Sequence, residues 1–168
     1  MCSSDLAAVA ACAVLAVASA PAASAHAIIS LGGVDAVAGQ TSRMTLEVQH
    51  GCLTDEDGVL QVIASVGKPW GRLRPLPVEG WSMTQRRLPK GQQITWTKVD
   101  GIPQVFNVPV YFPIDVTWPS KPGVIGMAVT QICAQDTTVW NTPMGPATAD
   151  ADSPPVTPMP QVKVLKAS

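Results

Sequence analysis

Proline is distributed along this chain so densely that long helices are excluded. The sequence contains 16 Pro and 13 Gly among 168 residues, and Pro removes a backbone donor and breaks a helix interior. No stretch of about 12 residues, the length at which helices become stable, keeps a helical repeat without Pro, Gly or a loss of period. The composition, with 46% apolar and 14% charged residues, fits one globular domain and excludes a disordered tail, a collagen or a coiled coil. We therefore expect an all-β domain.

Short runs rich in alternating apolar residues are separated by turn residues throughout the chain. They cover residues 27–31, 42–48, 59–66, 81–87, 93–98, 105–112, 123–133, 137–140 and 161–165. This spacing predicts a β-sandwich of about eight or nine strands. Pro109 interrupts one run and marks an edge strand or a bulge. The Pro-rich segment 143–160 is expected to be an extended loop before the last strand.

The first 25 residues have the pattern of a secretory signal peptide. A small apolar run from Leu6 to Ala18 is followed by Ala23-Ser24-Ala25, a small-x-small cleavage site. A membrane span would need about 20 apolar residues, and this run is shorter. Residues 1–5 carry an Asp and no Lys or Arg, unlike a normal leader, and we expect them to be foreign to it. Cleavage at Cys12, as in a lipoprotein, is the alternative to a mature chain that begins at His26 in the periplasm or outside the cell.

Two cysteines, Cys52 and Cys133, follow the expected cleavage point. In an oxidising compartment they most simply form one disulfide. The apolar positions of 44–48 are even and those of 125–131 are odd, and each pattern continues to its cysteine on the inward face. The inward parity of both cysteines therefore predicts a bridge between the inner faces of two sheets. Two free thiols or a two-thiolate metal site are less favoured, because no second Cys or His lies two to four residues from either cysteine.

Charge and motif content exclude several classes of function. Eleven Lys and Arg against twelve Asp and Glu give a net charge of −1. We find no stretch that combines positive charge with aromatics, and expect no nucleic-acid partner. Neither a nucleotide-binding loop nor a catalytic triad pattern is present. The sequence thus indicates a protein that is not an enzyme and has no membrane span in the mature chain.

His26, as the first residue of the mature chain, would be suited to copper. Its free amine and its own Nδ1 can chelate one metal ion, and nitrogen ligands favour Cu(II). The amine has a pKa near 8, so Cu(II) has to displace only a weakly held proton from it. A Cu(I) carrier usually groups Met, whereas the Met residues here are scattered. On composition alone, a His at this position also arises by chance.

A set of short motifs along the mature chain resembles one known family. They are Ala25-His26, His50-Gly51-Cys52, Pro77-Val78-Glu79-Gly80-Trp81, Ile94-Thr95-Trp96, Tyr111-Phe112-Pro113, Gln131-Ile132-Cys133 and Val139-Trp140. In this order they resemble the YcnI-like family of secreted copper-binding domains. The resemblance implies an immunoglobulin-like β-sandwich in which His26 forms a single-histidine brace on Cu(II), with Trp140 close to the metal.

The third protein ligand is open in this sequence. Some members of that family contribute a carboxylate from the end of the early strand, where this chain has His50-Gly51-Cys52. His50 has inward parity and could bind metal or satisfy a buried carbonyl. Glu47 has outward parity and is expected to be solvated, and the acidic residues 55–57 are expected to form a turn.

The resulting hypothesis is a periplasmic or secreted Cu(II) metallochaperone or store that exchanges copper with other periplasmic copper-handling proteins. One alternative is a brace-type copper mono-oxygenase with His50 as second histidine. Another is a metal-free adhesion or carbohydrate-binding sandwich that uses exposed Trp70 or Trp118. Trp81 and Trp96 are expected in the core.

Overall fold

A computed structural model describes residues 27–52, 57–145 and 155–168, and within these ranges the chain forms ten β-strands. The expected signal peptide and His26 lie outside the described residues. No helix in the described part is long and apolar enough to cross a membrane. The strands are β1 (Ala27–Ser30), β2 (Thr41–Val48), β3 (Val59–Gly67), β4 (Arg72–Pro75), β5 (Trp81–Leu88), β6 (Gly91–Lys98), β7 (Val110–Thr117), β8 (Gly123–Cys133), β9 (Thr137–Trp140) and β10 (Gln161–Val164).

The strands form two antiparallel sheets that pack as a sandwich. The first sheet has the order β1-β2-β7-β4, and the second has the order β10-β8-β3-β6-β5 with β9 also paired to β8. The long strand β8 pairs with β10 over its first residues and with β9 near its end. The predicted all-β sandwich is confirmed.

The core follows from strict alternation along the central strands. Met44, Leu46 and Val48 of β2 are buried, and so are the odd-numbered residues from Ile125 to Cys133 of β8. Successive side chains of a strand point to opposite faces, so these two sets face each other across the sandwich. The predicted parity of both strands is confirmed.

Aromatic rings fill the centre of this core. Trp96 is stacked at a tilt on Phe112, with 4.6 Å between ring centroids. Trp81 meets the same ring edge-on at 5.2 Å. Both geometries are favourable for aromatic pairs, and the prediction that Trp81 and Trp96 belong to the core is confirmed.

The interpretation of Trp70 and Trp118 as exposed residues is wrong. Trp70 is 6% exposed and Trp118 is 2% exposed, and their rings lie 6.0 Å apart. The Trp70 indole N–H donates to the Gly126 carbonyl, and the Trp118 indole N–H donates to the Ser42 hydroxyl, each at 2.7 Å. A satisfied N–H lets an indole be buried without penalty, so the neighbouring prolines do not force either ring outward.

The strand predicted at 105–112 is displaced in the structure. Residues 105–109 form a loop in which the Val108 N–H donates to the Val105 carbonyl, and β7 begins after Pro109. Pro113, by contrast, lies inside β7. Its carbonyl accepts from Leu76, just past the end of β4, so the side on which Pro lacks an N–H has no strand residue to pair with.

The short strand β4 was not predicted. It has four residues, Arg72–Pro75, and lies at the edge of its sheet. Because an edge strand needs hydrogen bonds on one side alone, it tolerates Pro75 at its end. A run this short, bounded by Pro and Gly, carries too little alternation to be distinguished from a turn.

Candidate functional site

His50 and Trp140, two of the three residues singled out for metal binding, lie near one end of the sandwich. Ala27, the first described residue, pairs with Val48 at the end of β2. His50 and Cys52 follow β2 directly, and β8 ends at Cys133. The start of the described chain, the end of β2 and the end of β8 are thus close together.

The disulfide joins the two sheets at this end. Cys52 and Cys133 are bonded, with 6.1 Å between their Cα atoms, and both are buried. The predicted pairing and its inward position are confirmed. The backbone N–H of Cys52 lies 3.1 Å from the Cys133 sulfur and also donates to the Asp57 carbonyl at 2.9 Å.

Gly51 has a packing reason to lie between His50 and Cys52. A Cβ atom at this position would lie 1.8 Å from the Asp57 carbonyl oxygen and 3.0 Å from the Phe106 ring. The Gly51 N–H donates to the Phe106 carbonyl at 3.0 Å. The backbone here approaches its neighbours too closely for any larger residue, which explains the glycine of the His-Gly-Cys motif.

His50 is half-buried at the rim of this end. Its Nδ1 lies 2.6 Å from the Gly51 carbonyl oxygen, and its ring lies 5.3 Å from the Phe106 ring. Because a carbonyl can only accept, this contact assigns the proton to Nδ1 and leaves the lone pair on Nε2. Metal-binding histidines commonly have this arrangement, with the second nitrogen donating to a backbone carbonyl.

Gln131 connects His50 to Trp140. The Gln131 side chain is 1% exposed, and its Nε2 donates to the His50 carbonyl at 2.8 Å. Its Oε1 accepts from the indole N–H of the buried Trp140. This role of Gln131 was not predicted from the sequence. A polar residue at an inward position of a strand is the signal that could have indicated it, because such a side chain needs buried partners.

Asp57 fixes the adjacent turn between β8 and β9. Its carboxylate accepts from the backbone N–H of Gln135 at 2.6 Å and of Asp136 at 3.2 Å, and the residue is 8% exposed. It therefore has a structural function in the turn. Asp55 and Glu56 lie outside the described residues. Glu47 is half-buried, opposite Tyr111 on the outer face, as its parity predicted.

The described part of the chain does not assemble a metal site by itself. Within it, no three His, Cys, Asp or Glu side chains converge to hold a metal ion. His50 supplies one imidazole at this end, and Trp140 supplies an indole that can donate but not accept. His26, Asp55 and Glu56, the other candidate ligands near this end of the sequence, lie outside the described residues.

A comparison with solved structures establishes the fold. The chain is similar to an uncharacterized protein from Nocardia farcinica whose crystal structure is described as revealing an immunoglobulin-like fold, with a TM-score of 0.64, 20% identity, and coverage of 84% of this chain and 99% of that one. The domain is an immunoglobulin-like β-sandwich. No protein-family model and no curated protein matches the sequence.

Proposed function

We propose that the mature protein is a secreted or periplasmic Cu(II)-binding protein that uses His26 as an N-terminal ligand. The observation that carries the proposal is the hydrogen-bonded chain from Trp140 through Gln131 to His50, at the end of the sandwich where Ala27 enters β1. His26 directly precedes Ala27 in the sequence, and we assign its amine and imidazole to a copper site at this end of the domain.

The donor set available here suits Cu(II). His26 would offer two nitrogens after cleavage, and His50 would offer Nε2, whose lone pair follows from the contact of Nδ1 with the Gly51 carbonyl. Nitrogen ligands match Cu(II), which binds most tightly among the divalent first-row metals. Bound copper would supply a redox-active, strongly Lewis-acidic centre. The protein would hold it through these nitrogens.

Trp140 and Gln131 would act around the metal and not on it. The Trp140 N–H already donates to Gln131, and an indole has no lone pair to offer a cation. Its buried ring would limit water access to the metal. Gln131 would fix the His50 backbone, and such outer partners commonly affect metal affinity by about 10-fold to 100-fold.

We assign the protein a role in copper storage or transfer to other copper-handling proteins in the periplasm. The disulfide supports an oxidising compartment, because such bonds persist there. No observation favours an enzymatic role. The described tryptophans that a sugar-binding surface would use are buried.

Isothermal titration with Cu(II) tests the proposal on the secreted protein, whose N-terminal mass must correspond to a start at His26. We expect tight binding to the mature form and its loss in a form with one Gly added before His26, because an amide nitrogen replaces the amine. His26→Ala should lose binding to a similar extent. Trp140→Phe should change the copper spectrum and weaken binding less.

The Gly-extended form is a matched control, since it retains every side chain of the mature protein. Equal Cu(II) affinity in the mature and extended forms would refute the N-terminal ligand. His50→Gln then separates the two possible roles of His50. A weakened complex would identify His50 as a ligand, whereas unchanged affinity would assign its ring a structural role through the contact with the Gly51 carbonyl.

A further inference from the structure

Positive charge is concentrated in one segment of the chain. Residues 68–90 contain six of the eleven Lys and Arg and a single carboxylate, Glu79. The six are all exposed: Lys68, Arg72, Arg74, Arg86, Arg87 and Lys90. We expected no stretch of the chain to combine positive charge with aromatics. That expectation was wrong, because Trp70 and Trp81 lie in the same segment.

The fold brings these cations together along one side of the sandwich. β4 is the edge of the first sheet and β5 is the edge of the second. Gln85 of β5 donates to the Leu73 carbonyl of β4 at 3.0 Å, and Gln92 of β6 donates to the carbonyl of Gly71, just before β4, at 2.7 Å. We call the surface along β4 and β5, with the turns at 68–71 and 88–91, the basic trough.

The basic trough contains three neighbouring cavities. One, of about 410 Å³, is lined by Lys68, Arg72 and Arg87. A second, of about 270 Å³, shares Arg72 and Arg87 and adds Arg74 and Arg86. A third, of about 600 Å³, shares Lys68 with the first and adds Lys121. Because the cavities share lining residues, they lie next to one another along this side of the sandwich.

Little negative charge offsets these cations. Arg74 pairs with Asp115, which also accepts from Arg43 at 2.9 Å, and Arg86 donates to the Gln93 amide oxygen at 2.8 Å. Within the described ranges, Lys68, Arg72 and Arg87 have no ion-pair partner. Asp115 is also the one carboxylate among the residues that line the cavities along this side.

We propose that the basic trough binds an acidic polysaccharide, a linear chain that carries sulfate or carboxylate groups. Arginine forks match the oxygens of such groups in paired hydrogen bonds, and four of the six cations are arginines. An extended chain lying along the two edges would meet Lys68, Arg72 and Arg87 in succession. The joined edges present these guanidinium groups on a rigid frame.

The shape and lining of the trough favour this ligand over other polyanions. Single strands stack their bases on exposed aromatics, and Trp70, which lines the trough, is buried. A membrane surface is flat, whereas these cations line a concave surface.

Protection of the sheet edges is the simpler explanation of the same charges. Edge strands often carry Lys or Arg to prevent pairing with other chains. That purpose does not require cations on the turns at Lys68 and Lys121, nor a nearly complete lack of compensating carboxylates. The continuity of the charge across strands and turns is what points to a ligand.

Binding of low-molecular-weight heparin, a sulfated linear polysaccharide, tests the proposal by titration calorimetry at several salt concentrations. Alginate provides a carboxylate chain, and duplex DNA and vesicles with anionic lipid provide the competing polyanions. The comparison is between the unmodified protein and Arg72→Gln/Arg87→Gln. We expect this variant to bind heparin at least about 10-fold more weakly, and its dependence of log K on log salt to be lower by about two counterions.

A charge-matched control removes two exposed cations elsewhere. Lys163 and Lys166 lie at and after the last strand, and Lys163→Gln/Lys166→Gln should change heparin affinity by less than about 2-fold. Arg72→Lys/Arg87→Lys keeps the charge and should retain part of the affinity, since point charges replace the forks. Thermal melting verifies that each variant is folded.

Three results would overturn the proposal. Equal weakening by both Gln double variants would reduce the effect to net charge. Tighter binding of DNA or vesicles than of either polysaccharide would assign the surface to another partner. Absence of heparin and alginate binding by the folded, unmodified protein at low salt would leave edge protection as the function of these cations.

Discussion

Removal of the Cys52–Cys133 disulfide should cost a large part of the stability of this domain. The two cysteines are 81 residues apart in sequence. In the loop-closure treatment, a bridge over that separation lowers the entropy of the unfolded chain by an amount worth about 4.5 kcal/mol at 25 °C. Domains of this size typically have free energies of unfolding of about 5–15 kcal/mol. The bridge alone could therefore decide whether the protein is folded at physiological temperature.

The test is Cys52→Ala/Cys133→Ala beside the oxidised protein, in guanidinium unfolding and in calorimetry. We expect the free energy of unfolding to fall by about 4–5 kcal/mol. The melting temperature should fall by about 9–18 °C, at about 2–4 °C per kcal/mol. Chemical reduction of the unmodified protein controls for the volume that the substitutions remove, since it breaks the bond and keeps both sulfur atoms. Because both cysteines are buried, reduction has to be carried out in denaturant before refolding.

A loss below about 1 kcal/mol in both the variant and the reduced protein would refute this reasoning. Loop closure over so long a segment would then not be the main effect of the bond, and residual structure in the unfolded chain would already hold the two ends together. A large loss in the variant with a small loss in the reduced protein would attribute the cost to packing of the sulfur atoms.

Three further predictions concern single residues. Asp57→Ala should cost about 2–4 kcal/mol in chemical denaturation, because two backbone N–H groups of the β8–β9 turn lose a charged acceptor. Hydrogen bonds from Arg43, and to a lesser degree from Arg74, hold the pKa of Asp115 below its usual value. The stabilisation of the fold by ionised Asp115 is therefore complete above about pH 4 and is lost as the pH falls through the lowered pKa. Asp115→Asn should consequently reduce the melting temperature at neutral pH and leave it unchanged in strong acid. Trp118→Phe should lower the melting temperature more than Trp96→Phe does. The Trp118 N–H has a hydroxyl partner, whereas the buried Trp96 N–H has none among the described residues. Equal falls in melting temperature would contradict this.

The fold was predictable to the extent that it rests on alternation. Strands such as β2 and β8 have one face in the core, so their apolar residues recur with period two and even the facing of the cysteines could be derived. β4 has four residues and an edge position, so it carries almost no such pattern. Its pairing with β7 is set by tertiary contacts that no local stretch encodes.

The effect of a proline on a strand depends on the neighbouring strand, which the local sequence does not show. Pro109 and Pro113 have the same chemistry, yet the first precedes β7 and the second lies inside it. The difference is the position at which β4 ends, which leaves no β4 residue facing Pro113 on the side where it lacks an N–H. The same holds for Trp70 and Trp118, whose burial depends on acceptors contributed by β8 and β2.

The disulfide near the candidate site was predictable from the sequence, whereas the hydrogen bonds that connect the candidate residues were not. His50, Cys52, Cys133 and Trp140 were singled out from sequence, and the structure brings them to one end of the sandwich. The connection through Gln131 could not be derived, because it depends on how far a side chain of β8 reaches toward a turn that follows β2. The basic trough was missed for a related reason, since β4 and β5 become adjacent only when the two sheets pack.

The copper proposal and the polysaccharide proposal concern opposite ends of β2, and their tests are therefore separable. Thr41 begins this strand and lines a cavity together with Arg72, whereas His50 follows the other end. Eight residues in the strand, at about 3.4 Å each, separate its ends by roughly 24 Å. The Debye length is about 8 Å at physiological salt, so exposed charges at one end scarcely act on the other. Removal of Arg72 and Arg87 should consequently leave Cu(II) affinity unchanged, and His50→Gln should leave heparin affinity unchanged. If either substitution altered both affinities in a folded protein, the two sites would have to be coupled through the packed strands, and the assignment of independent roles to the two ends would be wrong.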